Sequence, residues 1–263
     1  MGDAASLVLH DGDRVHASGR VVAVSGRPVR FCAPVAVAAV GYAAGHEPPP
    51  AYCDLGVDLQ GVDLNALSSR RAKAGGVEGY ADLVGTYRAS GVVEVVTQRP
   101  YRVTDVPLPP DRPPCPAPPG GWPTGAADEN LDLTPIEEYG REHPDVVLTP
   151  AQLRPSSRQV VAYVLTLTDP EPVDAALRPA YGGRLCVVRS RYSRGQIGRA
   201  TQAFTSRTGG GHANIYAVGA GALAADGQPV IEVKCVQVNP ELVAVAAEQP
   251  RGLVRLRPWL QPG

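Results

Sequence analysis

The chain has 263 residues, 44% of them apolar and 19% charged, with a formal net charge of −1. That length and apolar content suffice for two cores of ordinary domain size and exclude a chain disordered throughout. Aromatic residues make up only 5%, so the cores fall to Val, Leu and Ala, and stacking platforms for bases or sugars are few.

The near-zero net charge conceals a gradient. Residues 1–110 carry 10 basic and 11 acidic side chains, residues 111–153 carry 2 and 8, and residues 154–263 carry 13 and 7. Only Lys73 and Lys234 are lysine, an arginine excess read first as genome composition.

Met1 to Leu9 has neither a positive segment nor a continuous apolar one, which predicts no signal peptide. The longest apolar-looking stretch, Pro34 to Gly45, falls well short of the ~20 residues needed to cross a bilayer. The five cysteines, Cys32, Cys53, Cys115, Cys186 and Cys235, form an odd, unclustered set that argues against a disulfide framework and leaves only Cys32 with Cys53 open. Together these predict a cytoplasmic location with no membrane association.

In chain order, Arg14 to Val24, Val77 to Arg88 and Val92 to Gln98 read as strands, the last two joined at Ala89-Ser90-Gly91 as a hairpin. Between them, Asp63 to Lys73 predicts a helix capped by Asp63, with Leu64, Leu67 and Arg71 near one face. Strands, one helix and a closing hairpin predict a small OB-like β-barrel over 1–105, with Gly19, Gly79 and Gly85 where coiled strands need glycine.

Val106 to Gly125 holds nine prolines. Proline fixes φ and lacks the amide donor, so 106–125 predicts an extended spacer anchored near its end by Trp122.

Over 126–263 strands and helices alternate. Thr134 and Pro135 open an acidic helix that ends before Pro144, and Val160 to Leu167 reads as a strand. Asp169-Pro170-Glu171 starts a second helix, and Ser193 caps a third whose Ile197, Ala200, Thr201 and Phe204 share a face. Ile215 to Leu223 and Pro229 to Val238 flank Asp226-Gly227 as a hairpin, and Asn239-Pro240-Glu241 caps a last helix before the strand Leu253 to Leu256. From Leu185 the order is β-α-β-β-α-β, which predicts a ferredoxin-like α+β sandwich with an added strand and helix.

Motifs that carry chemistry are sparse. Gly209-Gly210-Gly211 lacks the Lys-Ser/Thr of a phosphate loop, and no Ser lies in a Gly-x-Ser-x-Gly turn. Cys32, His46 and Cys53, with Asp54 beside them, are a weak metal candidate whose spacing matches no common zinc module. Glu78, Asp82 and Glu94 are candidate paired carboxylates that alternation equally reads as outward-facing, and His212 is a loop histidine. No cofactor is implied.

The remaining signal is electrostatic. Arg184, Arg189, Arg191, Arg194, Arg199 and Arg207 stand without an intervening acid, while Asp128, Glu129, Asp132, Glu137, Glu138, Glu142 and Asp145 cluster after the spacer. Either Arg189, Arg191, Arg194 and Arg199 form a surface for an external anion or partner, or the acidic segment docks on them. The function expected is a non-catalytic interaction or regulatory protein with a protein partner. The alternatives are nucleic-acid binding, through the barrel or the Arg184–Arg207 surface, and an enzyme whose site is invisible in sequence.

Overall fold

A computed structural model describes residues 4–35, 48–73, 75–102, 111–126, 129–208 and 214–263. In chain order its elements are β1 (Arg14–Val24), β2 (Val29–Cys32), β3 (Gly56–Gln60), β4 (Ser68–Lys73), β5 (Gly76–Arg88), β6 (Val92–Pro100), α1 (Thr134–Glu142), β7 (Val147–Ser156) and β8 (Gln159–Thr166). There follow α2 (Pro170–Tyr181), β9 (Leu185–Arg189), α3 (Arg194–Thr205), β10 (Ile215–Leu223), β11 (Pro229–Cys235), α4 (Pro240–Ala247), β12 (Val254–Pro258) and β13 (Gln261–Pro262). The protein is thus mostly β-sheet with few helices. No helix among the described residues is long and apolar enough to cross a membrane.

The chain groups into two compact units, Met1–Thr104 with Thr201–Gly219 and Glu232–Gly263, and Asp105–Ala200 with Ala220–Ile231. This grouping is discontinuous in sequence, each unit drawing on separate stretches of the chain. Val236, Trp259 and Leu260 explain it, because their side chains lie in the same core as Val21, Phe31 and Leu83.

In the first unit β1 pairs antiparallel with β2, β2 antiparallel with β3, β3 parallel with β6, and β6 antiparallel with β5. β5 then returns to β1 along the whole of that strand, from Arg14↔Thr86 to Val24↔Gly76, so five strands form a ring. Alternation along β1 and β5 sends Val15, Ala17, Ala81 and Leu83 inward. Phe31 and Trp259 meet in this core at 4.5 Å between ring centroids, and Trp259 Nε1 donates to the Ser18 carbonyl at 3.0 Å.

Two of the glycines singled out from sequence sit at close backbone approaches. A Cβ on Gly85 would lie 2.6 Å from the Glu94 carbonyl oxygen, at the register shift between Val84 and Gly85. One on Gly79 would lie 2.9 Å from the Ser68 carbonyl oxygen. The β5–β6 hairpin forms as expected, with Gly91 at φ 82° in its turn.

The helix expected over Asp63 to Lys73 does not form. Asp63 caps only the short 3₁₀ turn Leu64–Ala66, accepting from the Asn65 amide at 2.8 Å, and Ser68–Lys73 is strand β4 beside β5. A helix of this length is marginal by itself, whereas the edge of β5 offers backbone partners, and Leu67 is buried between the two elements.

In the second unit β8 is buried along nearly its entire length and lies between antiparallel β7 and parallel β9. Parallel neighbours require a crossover, which α2 supplies. Its start is the expected one, with Asp169 accepting from the Glu171 amide at 3.1 Å and Pro170 opening the helix. α3 begins with a reciprocal cap. Ser193 Oγ accepts from the Gln196 amide at 3.2 Å, and Gln196 Oε1 accepts from the Ser193 amide at 2.8 Å. α1 departs slightly from expectation, since Thr134 lies inside it and Asp132 accepts from the Thr134 amide at 2.9 Å. Val173, Leu177 and Tyr181 of α2 and Ile136 of α1 join Val160, Ala162 and Val164 of β8 in one core.

The ferredoxin-like sheet expected from Leu185 onward is not present. β9 belongs to the sheet β7-β8-β9, while β10, β11 and β12 form a separate sheet in that order. The element order was read correctly, but order does not reveal which strand a crossover returns beside, and the almost wholly buried β8 takes β9.

The proline-rich segment is docked over its described residues. The Asp111 amide donates to the Arg154 carbonyl at 2.9 Å, the Gly125 amide donates to the Arg158 carbonyl at 2.8 Å, and Gln159 Nε2 donates to the Trp122 carbonyl at 2.8 Å. Trp122 packs beside Leu153, Val161 and Tyr163, the anchor expected of it.

The cysteine expectation is corrected more sharply. Cys32 bonds Cys53, and Cys115 of the proline-rich segment bonds Cys186 of β9, leaving Cys235 as the free cysteine, buried. Cys32 with Cys53 is the pair that the sequence left open, whereas the 71-residue separation of Cys115 and Cys186 hid the second pair from any reading of local spacing. Replacing Cys115 and Cys186 together by Ser is expected to lower unfolding free energy by about 4 kcal/mol, and replacing Cys32 and Cys53 by about 3 kcal/mol, on loop-closure entropy. Urea titrations of the two double variants measure this, and a midpoint equal to wild type in either would contradict it.

Candidate functional site

The same alternation that buries Val15 and Ala17 turns His16, Ser18 and Arg20 of β1 outward, and on β5 it turns Glu78, Tyr80 and Asp82 to that side. Register places Ser18 opposite Asp82, Arg20 opposite Tyr80, and Asp82 opposite Arg99 of β6. One outward face therefore carries hydroxyl, imidazole, carboxylate, guanidinium and phenol groups.

Its centre is Asp82. Ser18 Oγ donates to Asp82 Oδ1 at 3.1 Å, and His16 Nε2 lies 2.6 Å from the same oxygen. An ionised carboxylate only accepts, so Nε2 carries the proton in this contact. Asp82 Oδ2 has no partner among the described residues. Beside it Tyr80, 40% exposed, leans on Tyr101 with ring centroids 5.3 Å apart. The Tyr101 amide donates to Ser68 Oγ at 3.0 Å, which holds the chain in place just beyond β6.

At the other end of the face Glu78 is buried between two arginines. Arg20 Nε donates to Glu78 Oε2 at 3.1 Å, Arg71 donates to Oε1, and Arg20 also reaches the Ala51 carbonyl. A carboxylate this buried is tolerable because both oxygens are met by charge.

A second cluster lies on β2 and β3. Arg30 pairs with Asp58, its register partner, at 2.7 Å and donates to the Asp54 carbonyl at 2.9 Å. The guanidinium carbons of Arg27 and Arg30 lie 4.8 and 5.8 Å from the centre of the Tyr52 ring, which the Cys32–Cys53 bond adjoins.

The arginines singled out from sequence are largely committed. Arg184 pairs with Glu129 at 2.8 Å, Arg191 with Asp226 at 2.5 Å, and Arg207 with Glu241 at 3.7 Å. Arg194 donates to the Pro144 and Val147 carbonyls, both at 2.8 Å. Arg189 and Arg199 are exposed, and their guanidinium groups have no ion pair among the described residues. The acidic segment thus meets this set through Glu129, while Glu137, Glu138 and Glu142 are exposed.

The remaining candidates resolve similarly. Cys32 and Cys53 spend their thiols on each other, which removes two ligands from the Cys32–His46–Cys53 metal candidate, and His46 lies outside the described residues, as does His212. Among the described residues no group of three His, Cys, Asp or Glu could hold a metal ion. Glu78, Asp82 and Glu94 do not pair with one another. Glu94 bonds Arg88 at 2.6 Å, which holds its carboxyl below the ordinary range. Burial pushes the Cys235 thiol up to about 12, so it stays protonated and unreactive.

Sequence reasoning named Glu78 and Asp82 as candidate carboxylates on an outward strand face but did not connect them with His16, Ser18, Tyr80 or Arg99. The signal that could have grouped them with His16 and Ser18 was the matching alternation of β1 and β5, read as a pair. No protein-family model matches this sequence, and no curated protein is detectably similar to it.

Arg184 donates to Glu129 and holds its carboxyl below the ordinary glutamate range. A depressed carboxyl stabilises the fold above its unfolded value and loses that contribution as pH falls through the folded value. In Arg184→Gln the Glu129 carboxyl is expected to titrate higher, back in the ordinary range, in a carboxyl-detected NMR titration. An unshifted Glu129 would show the pair to be unformed in solution. Glu78→Gln, which leaves Arg20 and Arg71 without their shared counter-charge, is expected to cost about 1–2 kcal/mol in urea unfolding, discounted for the exposure of Arg71.

Proposed function

We propose that this chain is a non-catalytic binding protein of an oxidising compartment, presenting the face built on β1, β5 and β6 to another macromolecule. The observation that carries the reading is the pair of disulfides, Cys32–Cys53 and Cys115–Cys186. Structural disulfides persist where no cytosolic thiol pool reduces them, so the reading sets aside the cytoplasmic location suggested by the N-terminal residues. We read the five-stranded ring as a small OB-like barrel, because β3 and β6 run parallel while every other neighbour in the ring is antiparallel. Binding, not turnover, fits side chains each tied to a counter-charge or hydrogen-bond partner: Glu78 to two arginines, Asp82 to His16 and Ser18, and Glu94 to Arg88.

Protein recovered from an oxidising host, denatured and alkylated without reductant, is expected to take up one label, at Cys235. Uptake at all five cysteines would sink the compartment assignment. Turnover of any member of a phosphoester, ester and glycoside substrate panel would sink the non-catalytic one.

One observation favours a second reading, nucleic-acid binding: the Arg27 and Arg30 guanidinium groups gathered on Tyr52, on the β2–β3 side of the ring. Such a site combines positive charge with a stacking ring. It predicts a salt-sensitive mobility shift with a single-stranded oligonucleotide, weakened in Arg27→Ala, and no shift at low ionic strength removes it.

A further inference from the structure

We propose that the outward face of β1, β5 and β6 binds a neutral oligosaccharide, with Tyr80 as the stacking ring and Asp82 and Arg99 as the pair that reads its hydroxyls. The proposal rests on the binding-protein reading above and names the ligand class for that face.

Tyr80 is one of three exposed large hydrophobic residues among those described, and it stands in the middle of a sheet where alternation fixes its direction. Tyr101 braces the ring at 5.3 Å, so little side-chain freedom is left to lose on binding. A pyranose presents a face of C–H groups that can cover such a ring, with hydroxyls projecting from its edge. Those hydroxyls are each donor and acceptor, so they need both kinds of partner close together.

That pairing is what register supplies. Both hydrogen bonds that hold Asp82, from His16 and from Ser18, fall on Oδ1, which leaves Oδ2 as an acceptor without a partner among the described residues. Arg99 is directly opposite on β6, exposed and without an ion pair among the described residues, and its guanidinium carries only donors. A vicinal diol lying beside Tyr80 would donate one hydroxyl to Asp82 Oδ2 and accept from Arg99 with the other.

Charge selects against a polyanion here. A phosphate placed at the same position would face the Asp82 carboxylate, and the Arg20 and Arg71 side chains are already bound to Glu78. The two disulfides also suit a compartment where glycans are displayed.

The test is a titration of the disulfide-intact full chain with cellohexaose, chitohexaose and maltohexaose, followed by amide chemical shifts and calorimetry. At least one sugar is expected to shift the amides of Ser18, Tyr80, Asp82 and Arg99. Tyr80→Ala should weaken binding about tenfold or more and Tyr80→Phe should retain it, since the ring does the stacking. Arg99→Ala, an exposed change that cannot threaten the core, should weaken it similarly. Silence from all three sugars at millimolar concentration would overturn the proposal, as would equal binding by Tyr80→Ala, or shifts confined to β2 and β3. Silence leaves the binding-protein reading standing, because that reading fails on substrate turnover. Cleavage of a bound hexasaccharide would uphold the site and sink the non-catalytic reading, so the two failures are distinguishable.

Discussion

The constraint on which the N-terminal strands depend is the unbroken antiparallel pairing of β1 with β5, from Arg14↔Thr86 to Val24↔Gly76. It closes five strands into a ring and, because side chains alternate with a period of two, it decides at one stroke which residues are core and which are surface. A slip of one residue would carry Val15 and Ala17 out and His16 and Ser18 in. The register is held against such a slip from both sides. Inside, Ala81 and Leu83 are buried beside Phe31 and Trp259. Outside, the ion pair of Arg20 with Glu78 and the hydrogen bonds of Asp82 can form only in this alignment. The candidate face is thus a by-product of the same pairing that builds the core.

The second unit is organised around β8. A strand buried on both faces needs covering on both, and the chain supplies helices α1 and α2 on one side and Trp122 with Cys115 on the other. That explains how a proline-rich segment, which cannot join a sheet ladder through proline nitrogens, nevertheless becomes part of a folded unit. Isolated amides such as Asp111 and Gly125 hydrogen-bond to the neighbouring backbone, Trp122 contributes apolar area, and the Cys115–Cys186 bond closes the arrangement. The arginines nearby serve the same structural ends. Arg194 ties two backbone carbonyls, and Arg184 and Arg191 neutralise Glu129 and Asp226.

Several features were legible before any coordinates. The β5–β6 hairpin followed from its Ala89-Ser90-Gly91 turn, and the starts of α2, α3 and α4 followed from Asp169, Ser193 and Asn239, because capping is a transaction among residues two or three apart. Trp122 as an anchor was legible for a comparable reason, being a large apolar group among prolines. The failures share the opposite character. Ser68–Lys73 became a strand because β5 was beside it, β9 left the expected sheet because β8 was beside it, and Cys115 paired with Cys186 across a separation that no local pattern encodes.

The sequence by itself determined where α2, α3 and α4 begin, where β5 turns into β6 and which residue types face a core, since these depend on capping, turn geometry and apolar periodicity within a few residues. Only the tertiary structure decided which strands are neighbours, which cysteines meet, and that His16, Ser18, Tyr80, Asp82 and Arg99 share one face. Those outcomes depend on contacts between residues tens of positions apart, whose free energy is set by the burial of whole strands rather than by any local preference.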